Sequence, residues 1–133
     1  MPDVDPFFDS NVVLYMFSAD EEKANRVERL LESGGVISVQ VLNEVTNVMR
    51  RKMNMSWDET NEAIELICEL CEVQELTIKV NQKGREIAER YGLPIYDSMI
   101  VAAALLANCD VLYSEDMQNG LMIEDRLEIL DPF

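Results

Sequence analysis

The chain has 133 residues, 48% of them hydrophobic, which is typical of a single globular domain spanning residues 1–133. Its 26 acidic and 11 basic residues give a net charge of −15, which argues against tight nonspecific binding of nucleic acid through Lys and Arg. Because the chain contains no His, catalytic triads, His-based ribonuclease chemistry and HExxH zinc sites are excluded. Hydrolysis would have to use carboxylates, hydroxyls, Lys or a metal.

The same totals predict the compartment. Three Cys and an acidic N-terminus without a basic signal region favour a cytoplasmic protein without structural disulfides. The longest apolar run, from Met99 to Ala107, is well short of the roughly 18 residues that span a bilayer, so no membrane association is expected. The acidity has two interpretations: a solvated surface, or acids clustered for cations or for a basic partner.

Short apolar strands and amphipathic helices alternate in the first half of the chain. The segment PFFD predicts a first strand at 6–9 that ends at Asp9, close to the start of a helix. The capping-box pattern of Ser18 to Glu21 predicts a helix over 19–32. A β-branched strand at 36–39 and a further amphipathic helix at about 39–53 follow.

The second half continues the alternation. A second capping-box pattern, beginning at Ser56, predicts a helix to about residue 72, and its CELC segment is expected to pack Cys68 and Cys71 into the core. The remaining predicted elements are a strand at 75–80, a helix at 81–91, a helix at 96–108, a strand at 110–114 and a last strand at 127–130. This order predicts an α/β fold with a mainly parallel sheet covered by helices on both faces.

Four acids have separate reasons to approach one another. Asp9 and Asp116 follow strands, at the carboxyl edge where open α/β sheets place their sites. Asp97 stands in the first turn of the helix at 96–108, which is apolar on nearly every side and therefore buried. Glu44 lies at the edge of an apolar helix face, where a solvated rim position is the alternative.

The densest basic run is Arg50-Arg51-Lys52, at the end of the helix at 39–53. One interpretation is favourable charge at a helix C-terminus, and the other is contact with RNA or a partner protein.

Successive segments of the chain resemble the motifs of the PIN domain family. They are FFDSNVVLY, ISVQVLNEV, YDSMIVAAALLANCD and LYSEDMQNG, and they occur in the family's order over nearly the whole chain. Within the family, size and motif wording resemble the VapC-type toxin ribonucleases of bacterial toxin–antitoxin pairs. The resemblance implies a three-layer α/β/α sandwich with a mainly parallel central sheet.

The resemblance also implies a site that binds Mg²⁺ or Mn²⁺. Carried over by motif, its catalytic and metal-binding residues are Asp9, Glu44, Asp97 and Asp116. Carboxylate oxygens suit these cations, and a bound metal would activate water for attack on phosphorus. Asn11 and Ser114 match polar positions beside these acids and are expected to support them, as is Glu115 with a weaker match.

The implied function is metal-dependent endoribonuclease activity that hydrolyses RNA phosphodiester bonds, in the toxin of a bacterial type II toxin–antitoxin pair. A basic antitoxin and a homodimer are the expected protein partners. Because the chain is so acidic, RNA or partner contacts would fall to a few residues, namely Lys23, Arg50, Arg51 and Lys52. The alternatives are a PIN-like nuclease with a housekeeping role in RNA processing, and a noncatalytic interaction domain that keeps the fold.

Overall fold

The computed structural model describes residues 4–133, in which strands and helices alternate as an α/β fold. The strands are β1 (Phe7–Phe8), β2 (Val36–Ser38), β3 (Glu72–Gln74), β4 (Val111–Tyr113), β5 (Met122–Ile123) and β6 (Leu127–Leu130). The helices are α1 (Ser10–Leu14), α2 (Glu21–Leu31), α3 (Val39–Arg51), α4 (Trp57–Leu70), α5 (Ile78–Tyr91) and α6 (Ile95–Leu106), with a 3₁₀ turn, Tyr15–Phe17, after α1. The predicted α/β class is confirmed.

The strands form one six-stranded sheet in the order β3-β2-β1-β4-β6-β5. All neighbours are parallel except β5 and β6, which form an antiparallel hairpin. The chain passes from β1 outward to β2 and β3, then returns to the other side of β1 with β4. A crevice forms where the strand order reverses in this way, so the carboxyl ends of β1 and β4 are the expected place for a site.

Helices cover the sheet on both faces. Phe7 and Phe8 are both completely buried although successive strand residues point to opposite faces. All three residues of β2 are buried as well. The ring of Phe8 packs against that of Tyr113, with centroids 5.4 Å apart, so β1 and β4 are joined by side chains as well as by hydrogen bonds. This burial confirms the predicted layered arrangement.

Helix α6 is the most deeply buried helix of the described chain, with every residue from Ser98 to Leu105 buried. It packs closely against α5, where a Cβ added at Gly84 would lie 2.7 Å from the Met99 sulfur. The absence of a side chain at Gly84 therefore lets the two helices approach. None of the described helices is long and apolar enough to span a membrane.

Two capping-box predictions had different outcomes. At α4 the prediction is confirmed, since the Ser56 hydroxyl accepts from Glu59 N–H at 3.0 Å and the Glu59 carboxylate accepts from Ser56 N–H at 2.9 Å. At α2 it is wrong, because Asp20 is the capping residue and accepts from Lys23 N–H at 3.2 Å. The Ser18 hydroxyl accepts from Asp20 N–H instead.

The strand predicted at 75–80 is wrong. The strand in this region is β3, which pairs Val73 with Ile37 of β2. Thr77 then caps α5 by accepting from Val80 N–H at 3.2 Å, so the helix begins three residues earlier than predicted. The β-branched residues here imitate a strand, but a local cap hydrogen bond starts a helix.

Two further differences lie outside the parallel part of the sheet. Strand β5 was not predicted, and it joins β6 through a tight turn with Glu124 and Asp125 at positive φ angles of 53° and 55°. Cys71 is buried as expected, but Cys68 is exposed, so the prediction that both pack inward is wrong for Cys68. Helix α4 has turned Cys68 to its outer face.

Candidate functional site

Asp9 lies at the switch point between β1 and β4. Its backbone N–H donates to the carbonyl of Tyr113 at 2.9 Å, which continues the β1–β4 pairing by one residue. It also precedes α1 as the capping residue, with extended backbone angles. The residue is only 3% exposed. The end of one strand and the start of one helix therefore hold a carboxylate almost out of water.

Neutral donors fix the orientation of the Asp9 carboxylate. Oδ1 accepts from the backbone N–H of Ser10 at 2.7 Å and lies 3.3 Å from the Ser10 hydroxyl. Oδ2 accepts from the Ser114 hydroxyl at 2.8 Å and from the Asn11 amide at 3.4 Å. These bonds use both oxygens but supply no positive charge. Asp9 is held in place without being neutralised.

Glu44 approaches Asp9 from α3, which packs against α1. Its Oε1 accepts from the Ser10 hydroxyl at 2.7 Å, and its Oε2 accepts from the Gln40 amide at 3.0 Å. The Ser10 hydroxyl thus lies between two carboxylates and has one proton to donate, and the shorter distance favours Glu44. Glu44 is partly buried rather than a free rim residue.

Asp97 and Asp116 complete the group of predicted acids. Asp97 lies in the first turn of α6 and is partly buried, while Asp116 is exposed in the loop after β4. The charge of Asp97 acts on the ionisation of Asp9, and the charges of Glu44 and Asp116 act on that of Asp97. The structure therefore brings all four predicted acids into one region, which we call the acidic cluster. Their catalytic and metal-binding roles stay predictions.

Burial dominates the ionisation of this cluster. The pKa of Asp9 is raised to about 6, chiefly by loss of water; the bonds from Ser114 and Ser10 oppose this rise, and the charges of Glu44 and Asp97 add smaller increases to it. Burial also raises the pKa of Asp97, followed by the charges of Glu44 and Asp116. No Lys or Arg within residues 4–133 contributes to either shift. Desolvation outweighs repulsion between the carboxylates.

The donor chemistry of the cluster fits a hard divalent cation, because its four acids offer carboxylate oxygens. Within residues 4–133, however, no three Asp, Glu, His or Cys side chains already enclose a position for a metal ion. Mg²⁺ usually keeps several waters and takes one or two carboxylates directly. The cluster therefore suits a hydrated ion better than a cage made wholly of protein ligands.

Asn11 and Ser114 connect Asp9 to the loop that carries Asp116. Asn11 accepts from Glu115 N–H at 3.2 Å, and the Ser114 hydroxyl accepts from Met117 N–H at 3.2 Å. Each side chain therefore contacts both Asp9 and the loop after β4. This placement matches the supporting position expected of them, which remains a predicted role.

Glu115 belongs to a different set of contacts. Its carboxylate accepts from the Tyr15 hydroxyl at 2.6 Å and pairs with the Lys23 ammonium at 2.6 Å. Hydrogen bonds from Lys23 and Tyr15 hold the pKa of Glu115 below its usual value. The Glu115 N–H is connected to the acidic cluster through Asn11, but its carboxylate is paired with Lys23.

The predicted RNA or partner contacts divide into two pairs. Lys23 is engaged with Glu115, and the Arg50 guanidinium donates to the Met55 carbonyl at 2.6 Å and stacks on the Trp57 ring at 4.5 Å. Arg51 and Lys52 are exposed at the end of α3. The first pair therefore has structural contacts, and the second is open to solvent.

Sequence reasoning missed Ser10 and Gln40, which hold Glu44. The signals were present: Ser10 directly follows the acid that ends β1, and Gln40 stands four residues before Glu44 on one helix, where side chains meet. Tyr15 was missed as well. Its partner Glu115 is 100 residues away, so no local pattern reveals the contact.

The family model of the PIN domain matches residues 7–118 of the chain. A search of curated protein sequences found no match. Among solved structures, a toxin–antitoxin complex from Klebsiella pneumoniae is similar at 16% identity, with a TM-score of 0.73 over 96% of this chain and 98% of that one.

Two further structures are similar over most of their length. The sarcin–ricin loop cleaving toxin VapC20 of Mycobacterium tuberculosis has 16% identity and a TM-score of 0.68, over 84% of this chain and 89% of its own. VapBC2 from Rickettsia felis, bound to a DNA fragment from their promoter, has 21% identity and a TM-score of 0.67, over 95% and 98%. At these identities the likeness establishes a shared fold.

Proposed function

Since the chain belongs to the PIN domain family, we propose that it is a metal-dependent endoribonuclease and the toxin of a bacterial type II toxin–antitoxin pair. Its substrate in this proposal is RNA, cut by hydrolysis of a phosphodiester bond. The similar structures support the choice within the family, because they include toxins and toxin–antitoxin complexes.

The observation that carries the proposal is the charge of the acidic cluster. Asp9 is almost fully buried, is bonded only by neutral groups and has two further acids close enough to raise its pKa. A buried carboxylate without a counter-ion costs stability, so a fold that needed only packing would gain nothing from this arrangement. A cation from solution would neutralise it.

Asp9, Glu44, Asp97 and Asp116 would hold Mg²⁺ or Mn²⁺. Bound there, such a cation supplies charge stabilisation for the phosphate and lowers the pKa of water. The residues of the chain supply position. Ser10 and Gln40 aim both oxygens of Glu44, while Ser114 and Asn11 aim Oδ2 of Asp9. Fixed ligands reduce the reorganisation needed during the reaction.

The exposure of the acids indicates which side of the cluster is open to solvent. Asp9 forms its floor, Glu44 and Asp97 are partly buried, and Asp116 is exposed. RNA would therefore approach the cluster from the Asp116 side. The loop after β4 lies at this opening, and Ser114 fixes its start against Asp9.

A basic antitoxin is the proposed protein partner. Two adjoining grooves share Phe17 and Leu66, and acidic residues surround their apolar floors. The rims contain Glu28, Glu32, Glu59, Glu62, Glu65 and Glu69. An amphipathic segment with apolar residues on one face and Lys or Arg at its margins would complement them in shape and charge. A homodimer and a cytoplasmic location are part of the same proposal.

The activity is tested with total RNA, Mg²⁺ or Mn²⁺, and an EDTA control. Wild type should cut RNA at discrete positions and leave 5′-phosphate ends, whereas Asp97→Asn should not. Asp58→Asn, a matched change in the first turn of α4, should cut like wild type because Asp58 is exposed and outside the cluster. Equal cleavage by wild type and Asp97→Asn, or cleavage that persists in EDTA, would contradict the proposal.

The partner is tested by co-purification with the product of a neighbouring small gene that encodes a DNA-binding protein. Leu66→Glu adds charge to the apolar floor of the grooves and should release the partner. Leu106→Glu is the matched control, since Leu106 is equally exposed, at 44%, but lies on α6. Release by both variants, or by neither, counts against these grooves.

A further inference from the structure

A groove runs between α2 and the last residues of the chain, with a volume of about 660 Å³. Three basic residues, Lys23, Arg26 and Arg29, line it together with one acidic residue, Glu22. Phe133 forms its aromatic wall. We call it the α2 groove. In a chain with a net charge of −15, this is an unusual concentration of positive charge.

The basic residues of the α2 groove recur at every third position of one helix and so form a stripe. The opposite face of α2 carries the buried residues Ala24, Val27 and Leu31, so packing turns the stripe outward. By contrast, the groove beneath Phe17 and Leu66 is lined by four glutamates and no basic residue. The two surfaces have opposite charge.

Most hydrogen-bond donors of the Arg26 and Arg29 guanidinium groups are unused within the described residues. Arg26 donates its Nε–H to the Pro132 carbonyl at 3.0 Å, and Arg29 donates its Nε–H to the Asn25 carbonyl at 3.4 Å. Within residues 4–133, neither guanidinium forms an ion pair, and their terminal nitrogens make no hydrogen bond. Both side chains are exposed. Their remaining donors are free for anionic oxygens.

The α2 groove adjoins the acidic cluster. Lys23 Nζ pairs with Glu115, which stands directly between Ser114 and Asp116. The same ammonium lies 4.6 Å from the Tyr15 ring centroid and 4.8 Å from that of Phe133. Phe133 still keeps 39% of its surface exposed. One chain of contacts therefore leads from the cluster to the groove.

We propose that the α2 groove binds single-stranded RNA beside the cleaved bond. Arg26 and Arg29 contact phosphates, and Phe133 stacks against an unpaired base. This inference rests on the proposed ribonuclease function. A basic groove with an aromatic surface is how proteins hold single strands without reading long sequences. The groove would also supply the positive charge that RNA binding needs in a chain of net charge −15, since the acidic cluster alone repels RNA.

The binding test uses a short labelled oligoribonucleotide and fluorescence anisotropy, in the Asp97→Asn background so that the RNA stays intact. Arg26→Gln/Arg29→Gln should weaken binding about tenfold and lower the slope of log affinity against log salt by about 1.4, since two phosphate contacts are lost. Arg85→Gln/Arg90→Gln removes two exposed arginines from α5 and should change affinity less than about twofold.

Three single variants separate the contributions of Arg29 and Phe133. Arg29→Gln removes a side chain whose only hydrogen bond in the described residues is to its own helix, so the fold is retained. Phe133→Leu should weaken binding about fivefold without changing the salt slope, because stacking releases no counterions, whereas Phe133→Tyr should bind like the parent protein.

Kinetics complete the test in an otherwise wild-type chain. Arg26→Gln/Arg29→Gln should raise KM about tenfold and leave kcat unchanged, as expected for contacts made equally before and during the reaction. If Arg26→Gln/Arg29→Gln left affinity and KM unchanged while Asp97→Asn still lost cleavage, RNA binding by the α2 groove would be refuted and the proposed function would stand. Loss of antitoxin binding without loss of RNA binding would also refute RNA binding by the groove. A wild-type chain that neither binds nor cuts RNA would overturn both.

Discussion

Asp9, at the end of β1, and Glu115, in the loop after β4, are two carboxylates that the protein surrounds differently. Asp9 is buried among neutral donors, and burial raises its pKa to about 6. Glu115 accepts from the Lys23 ammonium and the Tyr15 hydroxyl, and these contacts lower its pKa. Asn11 touches both neighbourhoods, through the Asp9 carboxylate and the Glu115 N–H. The two environments are therefore distinct although they adjoin.

This difference shows which of the two carboxylates the fold pairs with a basic residue. Glu115 has its cation built in, so its role is to join α2, Tyr15 and the loop after β4. Asp9 has rigid hydrogen bonds but no cation within the described residues. In the proposed function, a cation from solution would neutralise this charge.

The largest expected effect is on RNA cleavage. Asp9→Asn removes a proposed ligand and should lower kcat/KM at least about a thousandfold, equivalent to about 4 kcal/mol of transition-state stabilisation. Glu115→Gln keeps the hydrogen-bonding shape and should cost less than about tenfold. Cleavage assays with Mg²⁺ on both variants provide the measurement. Equal losses would remove the distinction drawn between the two acids.

The next effect is the pH dependence of stability without metal. Because the folded pKa of Asp9 is raised from 3.8 to about 6, its stabilising contribution is full below pH 3.8 and is lost as pH rises through 6. Between pH 3.8 and about 6, the free energy of unfolding of wild type should fall by about 3 kcal/mol relative to that of Asp9→Asn, whose side chain cannot ionise. Urea unfolding in EDTA at several pH values measures it.

Glu115→Gln provides the comparison of opposite sign in the same experiment. The folded pKa of Glu115 is lowered from its ordinary value of 4.5, so its contribution is present above pH 4.5 and is lost as pH falls through the lowered value. The free energies of unfolding of wild type and Glu115→Gln should therefore converge in acid. If the free energies of unfolding of Asp9→Asn and Glu115→Gln, each relative to wild type, changed with pH in the same direction, the environments assigned to the two acids would be wrong.

Metal binding should produce a smaller gain in stability. Mn²⁺ at about 100 times its Kd should stabilise wild type by about 2.7 kcal/mol, which raises the Tm of a domain of this size by about 10 °C. Asp9→Asn should show no such rise. Thermal melts with Mn²⁺ and with EDTA test this. An equal rise in both proteins would place metal binding elsewhere.

The smallest effect concerns the residues that aim Asp9. Ser114→Ala deletes the 2.8 Å hydrogen bond to Oδ2 and the acceptor for Met117 N–H. We expect about a tenfold loss in kcat/KM with the fold retained, as is usual for residues that orient metal ligands. Ser56→Ala, which breaks the cap of α4 away from the cluster, should lower stability and leave cleavage per folded molecule unchanged.

The sequence by itself determined the elements with strong local signals. The apolar run of α6 and the capping box at Ser56 follow from side chains that lie within a few turns of one another. The order of strands and helices then restricted the sheet to a mainly parallel form. Local signals failed at 75–80, where β-branched residues fit a strand but the Thr77 cap begins a helix.

The candidate acids were also indicated by sequence, through strand ends, a helix start and motif resemblance. Their environments were decided only by tertiary structure. No local pattern shows that Ser10 reaches Glu44 across 34 positions, or that Lys23 reaches Glu115 across 92. Ionisation depends on burial and on the charges that folding brings near, and both are sums over distant parts of the chain. For that reason the sequence supplied the carboxylates, and packing decided which of them has no basic residue beside it in the described part of the chain.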